Sequence, residues 1–251
     1  MKTITILSLF LICAVSVSAQ IDNADKNKKT SEKDKIVIVV SKTATPLELA
    51  KAALLAHGGD KFKNMKTLVV IGTADVSGSP STTFPAPFVM TYSGDKYRLE
   101  ISTPFVQFKQ IYDGQQTYSS AGEISLPPIN RLGMPLLPKI EEKDFTVSAL
   151  PDAKKKKVGF RITSPEGFYT DFFVDEKTGQ IKGYEASYDV NGRTVTTAVE
   201  IDKLREVKGV KIPEKYAQRF ETENLTVYAN FKAKDILVNS TVADDVFVMG
   251  K

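Results

Sequence analysis

Residues 167–190 read GFYTDFFVDEKTGQIKGYEASYDV, and no other stretch limits the fold so tightly. Phe168, Phe172 and Val174 alternate with Tyr169, Asp171 and Phe173, the two-residue period of an extended strand. Asp175-Glu176-Lys177-Thr178-Gly179 is a turn in which Gly179 supplies a positive φ. The chain resumes at Ile181, with Tyr184, Ala186, Tyr188 and Val190 on one face. Asn191-Gly192 follows, the strongest short hairpin signal, and 193–201 runs back. Three consecutive antiparallel strands are thus specified locally. The first carries bulky apolar groups on both faces, so a sheet with one wet side is excluded there. Each side of it must be covered.

The same alternation recurs upstream. Residues 68–76 form a strand, and 77–87 a loop rich in Ser, Pro and Gly. Phe88, Met90 and Tyr92 alternate with Val89 and Thr91. After the turn Ser93-Gly94-Asp95, Tyr97, Leu99 and Ile101 alternate with Lys96, Arg98 and Glu100, an inside–outside strand. Residues 105–112 and 115–119 form a further pair about Asp113-Gly114. Strands are also expected at 145–149, 158–163, 214–221 and 225–238, with a turn at 207–210 and a closing Asp244-Asp245-Val246-Phe247. The four lysines 154–157 read as a solvated hairpin tip. No internal repeat is evident.

One helix precedes the strands. Thr45 is its N-cap, Pro46 takes the first helical position and Glu48 completes a capping box. Leu47, Ala50, Leu54 and His57 recur at helical spacing and predict one apolar stripe. Gly58-Gly59 ends the helix. His57 is the only histidine, so it reads as a half-buried group near the cap, with no second histidine to build a site.

Residues 1–19 combine Lys2, an apolar run and the small pair Ser18-Ala19, the pattern of a secretory signal peptide cleaved after Ala19. The run is too short to span a bilayer. Residues 20–43 read as a flexible linker, with a possible edge strand in the apolar run 36–40, and 44–251 as a single domain. The one cysteine, Cys13, leaves with the leader, and Ile12 before it is too bulky for a lipidation site. Disulfides, thiol catalysis and zinc-thiolate sites are thereby excluded from the mature chain. A net charge of +4 is too balanced to argue for nucleic acid.

Catalytic patterns are missing from the sequence. Ser93-x-x-Lys96 lies on a hairpin turn, not at a helix start. Glu141-Glu142 and Asp244-Asp245 are neighbours in extended chain and point apart. No Gly-rich phosphate loop occurs. The expectation is a protein without catalytic residues, metal or cofactor. What remains is an apolar surplus on curved strands, whose concave side one helix cannot fill and which is suited to a greasy ligand. Phe88, Met90, Tyr97, Leu99, Ile101, Phe168 and Phe172 hold the more apolar alternating positions and are the expected cavity lining. The proline-punctuated stretch 126–138 is neither strand nor long helix. Its Leu132, Met134, Leu136 and Leu137 are expected either to lie over the mouth as a lid or to fill the nearest edge of the core.

A helix ending in His57-Gly58-Gly59, the strand Leu68-Val69-Val70-Ile71-Gly72, the turn Tyr112-Asp113-Gly114, and the unit Phe173-Val174-Asp175-Glu176-Lys177-Thr178-Gly179 occur in this order. They are followed by Val207-Lys208-Gly209-Val210-Lys211-Ile212-Pro213 and by Asp244-Asp245-Val246-Phe247. This succession resembles LolA-like outer-membrane lipoprotein-sorting proteins over roughly 45–247. The resemblance implies a mainly β domain, a half-open antiparallel β-barrel with helices plugging its concave face. It implies a non-enzymatic, monomeric periplasmic carrier for acyl chains of lipoproteins or other lipids, with inner- and outer-membrane transfer proteins as partners. An exported domain on the same fold that senses a lipid or peptide without transferring it is the alternative. The best-known carriers use tryptophans and a lid-latching arginine on an early strand. This chain has no Trp, and Arg98 does not align clearly with that arginine.

Overall fold

The computed structural model describes residues 44–77, 83–103, 107–120, 129–154, 156–190, 193–221 and 226–248, all within one compact unit, Val37–Lys251. The expected leader, linker, 36–40 strand and Asn191-Gly192 turn lie outside the described residues.

The helix forms as its sequence directs. In α1 (Pro46–Ala56) the Thr45 hydroxyl accepts from the Glu48 amide, while the Glu48 carboxylate accepts from the Thr45 amide at 2.7 Å. The buried face differs from the expected stripe. Leu49, Ala50, Ala53, Leu54 and Ala56 are buried, whereas Leu47 is 41% exposed. The face is centred on Ala50 and Ala53, small residues that let the helix approach the sheet closely, and Leu47 in the first turn is left in solvent. A short α2 (Asp60–Lys63) follows and buries Phe62.

Twelve strands form one antiparallel sheet. The first half comprises β1 (Thr67–Ser77), β2 (Thr83–Ser93), β3 (Lys96–Ser102), β4 (Gln107–Tyr112) and β5 (Thr117–Ser119). The second comprises β6 (Thr146–Ser148), β7 (Gly159–Thr163), β8 (Tyr169–Val174), β9 (Ile181–Val190), β10 (Arg193–Val207), β11 (Val210–Glu221) and β12 (Thr226–Val238). The spatial order is β5-β4-β3-β2-β1-β12-β11-β10-β9-β8-β7-β6. Consecutive strands are neighbours everywhere except β5 and β6, which are the two edges. The first and last strands meet in the middle, Leu68 opposite Val238 and Val70 opposite Ile236. At the irregularity after Ile71 a side chain on Gly72 would fall 2.2 Å from the Lys232 carbonyl oxygen, so only glycine lets β12 come this close.

The sheet curls around its filling. One core cluster joins Val70, Phe88, Phe231 and Ile236 of the central strands to Phe160, Ile162 and Phe172 of the far half, with Leu49, Leu54, Phe62, Leu136, Leu137 and Ile140 packed among them. A flat sheet of this width cannot bring those strands onto one helix; a strongly curved, open one does. The helices and the 129–140 segment therefore plug the concave face of a sheet that does not close.

The convex side of β8 is covered, as its two apolar faces require. The Lys157 ammonium stands 4.0 Å and that of Lys154 5.9 Å from the Phe173 ring centre, and the Arg161 guanidinium 3.8 Å from that of Tyr169. Between these rings Asp171 is fully buried and takes two hydrogen bonds from Arg161, at 2.6 and 2.9 Å, and one from Lys154 at 2.9 Å. Burial alone would raise its carboxyl; these bonds outweigh burial and hold it below the usual range. Lys154 and Lys157 are thus structural cover, not a purely solvated tip. Further along, the turn Asp244–Phe247 lies on the back of β3, where Arg98 donates to the Val246 carbonyl at 2.7 Å.

Candidate functional site

The register puts one side chain in two of every strand onto the concave face. In the first half these are Phe88, Met90 and Tyr92 opposite Ile101, Leu99 and Tyr97. In the second half Phe172 faces Tyr184 and Thr170 faces Ala186. All six strand residues expected to line a cavity fall on this face, and Phe168 just ahead of β8 packs beside it. They differ in depth. Phe88, Tyr97 and Phe172 are fully buried, while Met90, Leu99, Ile101 and Phe168 are half-buried.

The 129–140 segment runs as two 3-10 turns, Ile129–Arg131 and Met134–Lys139, and is strapped across the concave side. Toward β3, Asn130 Nδ2 donates to the Asp95 carbonyl at 2.7 Å, and the Lys139 ammonium meets the Asp95 carboxylate at 3.0 Å. Toward β8, Arg131 pairs with Glu166 at 3.1 Å, and the Gly133 amide donates to the Thr170 hydroxyl at 3.0 Å. The strap therefore ties two hairpins that are far apart in the sheet. Gly133 has φ +67°, and a side chain there would fall 2.7 Å from the Tyr184 ring. Leu136 and Leu137 are fully buried in the main core; Met134 packs at its margin; Leu132 belongs to a second cluster with Ala186, Tyr188, Val195, Phe168 and Phe220.

Several concave-side groups escape a search for catalytic patterns. Tyr92, Tyr184 and Tyr216 come from strands β2, β9 and β11, and loss of hydration pushes all three phenols up. Their phenolates would also repel one another, Tyr92 with Tyr184 and Tyr216 with both. The curved sheet therefore gathers three half-buried phenols, with Tyr216 stacked on Phe231 at 4.7 Å. Tyr92 and Tyr184 carry a sequence signal, sharing the alternation of Met90 and Ala186. The ionic anchors of the strap carry none. Their partners are separated by tens of residues and meet only after folding.

His57 is fully buried at the end of α1, deeper than the half-buried cap group expected. Its Nε2 accepts the Ile181 amide at 3.1 Å, so Nδ1 carries the proton and donates to the Lys211 carbonyl at 3.0 Å. The Lys211 amide returns a bond to the His57 carbonyl at 3.0 Å. Burial lowers the imidazole to about 4. The ring is a neutral clamp joining α1 to β9 and β11. Among the described residues no three His, Cys, Asp or Glu side chains gather to hold a metal, and no helix is long and apolar enough to cross a membrane.

No protein-family model matches the sequence, and no curated protein does. Solved structures do match in fold. A LolA superfamily protein from Nitrosomonas europaea aligns with 82% of this chain and 98% of its own, at 11% identity and a TM-score of 0.53. A DUF1329 family protein from Desulfovibrio piger aligns with 82% and 98% at 10% identity, TM-score 0.49. An outer-membrane lipoprotein-sorting protein domain from Vibrio parahaemolyticus aligns with 80% and 95% at 10% identity, TM-score 0.47.

Proposed function

We propose that this chain, which has the fold of the LolA superfamily, is a non-enzymatic carrier that shelters acyl chains of lipoproteins or other lipids on its concave face. It is exported to the periplasm behind a leader of residues 1–19, carries a linker over 20–43, and delivers toward the outer membrane. The observation that supports this reading most is the curved apolar face itself. Met90, Tyr92, Ile101, Met134, Tyr216 and Ala229 are only half-buried against the core, and apolar side chains in a concavity suit an acyl chain. Phe88, Tyr97, Leu99, Phe168 and Phe172 complete the lining, and Leu132, Met134, Leu136 and Leu137 on the strap would move for entry.

The resemblance places a latching arginine on an early strand. Arg98 is turned to the convex side, where it binds Val246 and Glu100, so the latch role here passes to Lys139 and Arg131. Titration of the purified protein with a fluorescent fatty-acyl probe is expected to saturate, and labelled lipoprotein is expected to move from donor to acceptor vesicles only with the protein present. A probe that never binds sinks the carrier; binding without transfer leaves a lipid sensor on the same fold.

A further inference from the structure

The inner face of α1 packs on the sheet, but its outer side carries leucines too. Leu47, Lys51 and Leu55 follow at steps of four and so stand in one row. Leu55 is 50% exposed, more even than Leu47, and Lys51 between them sends its ammonium to Glu141 at 3.4 Å. The two leucines are about 12 Å apart along the helix axis. Among the described residues this row stays open to solvent. The described chain starts at Ala44, which packs on the core directly ahead of the Thr45 cap. Four residues upstream ends Ile36-Val37-Ile38-Val39-Val40, the only apolar run between 20 and 43. It contains no charge, proline or glycine, and such a run left in water pairs with other chains. Read as a strand, it puts Ile36, Ile38 and Val40 on one side over about 13 Å, the length of the leucine row. Val40 is at most about 14 Å from Ala44, and Leu47 lies only three residues past Ala44.

We propose that residues 36–40 fold back antiparallel to α1 and close its outer face, with Val40 beside Leu47 and Ile36 beside Leu55. The reversal falls in Ser41-Lys42-Thr43-Ala44. Closing so short a loop costs little chain entropy, and the apolar run and the leucine row take each other out of water. The plugging helix is then held from both sides, by the sheet and by the segment that precedes it. This docking holds whether or not the concave face takes a lipid.

The chain from Gln20 onward has no cysteine, so single cysteines report on each place. Leu47→Cys and Leu55→Cys are expected to react with a maleimide at least about tenfold more slowly than Leu237→Cys, a leucine 47% exposed on β12. Ile38→Asp added to either should bring it to the Leu237→Cys rate and leave Leu237→Cys itself unchanged. A short bismaleimide should join Ile36→Cys to Leu55→Cys within one chain, and far less often Ile36→Cys to Leu47→Cys, because the segment runs antiparallel to the helix. That measurement stands even where Ile38→Asp disturbs folding. Both helix cysteines reacting as fast as Leu237→Cys overturns the docking, and so does joining of Ile36→Cys to Leu47→Cys in preference to Leu55→Cys. Protection that survives Ile38→Asp and grows with protein concentration assigns the face to a second copy and overturns it as well.

Discussion

At the scale of single residues, His57 sets the response to acid. Its ring must stay neutral to accept from Ile181, and it titrates near 4 in the fold against 6.5 when free. The unfolded chain therefore binds the proton more readily. Stability is full above about 6.5, falls as pH drops from there toward 4, and the loss amounts to roughly 3 kcal/mol. Urea melts of the native protein and His57→Gln across that window check this: the variant should lose the steeper part of the slope and keep only the shallower one that carboxylates such as Glu214 leave at its acid end. Gly133 is a second residue whose replacement has a readable cost. Gly133→Ala meets both the positive φ and the Tyr184 ring, and an expected cost of about 2 kcal/mol or more would show as a lower melting temperature. Tyr184→Leu in the same chain should recover part of it by removing the ring from that contact.

At the scale of elements, the strap combines two kinds of hold. Leu136 and Leu137 are fully buried, so Leu136→Ala or Leu137→Ala should each cost about 2–5 kcal/mol. Paired aspartates at both positions should unfold the protein outright. The ion pairs to Asp95 and Glu166 are partly solvated, with Lys139 16% and Arg131 20% exposed, and such pairs contribute only about 0–1 kcal/mol. Lys139→Ala should then speed release of a bound acyl probe by about two- to fivefold while the melting temperature barely moves; unchanged release would mean the strap does not gate the face. The strands and the capping box could be read from the sequence because alternation and caps are local patterns. Phe88 and Met90 on one face needed only the two-residue period. The strap's fate did not, because leucines in a proline-broken stretch fit core and lid alike until their surroundings are known. Leu47 was misplaced because helical spacing marks a stripe without saying how far along it the sheet extends.

At the scale of the whole molecule, the concave face exists because β5 and β6 never pair. The 129–140 strap, which lies in sequence between those two edges, crosses the face that they leave open. Each half is a run of hairpins between neighbours in sequence, and such contacts form early. The central β1–β12 ladder is different: Leu68 finds Val238 only after nearly all the intervening chain is made. Closing so long a loop is entropically slow. Until it closes, two long strand edges stand unpaired at the heart of the sheet instead of at its short rims, and bare edges recruit other chains. Refolding should be rapid in gaining strand signal, slow in its last phase, and lower in yield as concentration rises. Folding yield would then turn on how long those two edges are kept apart from other copies, more than on how well the finished core packs.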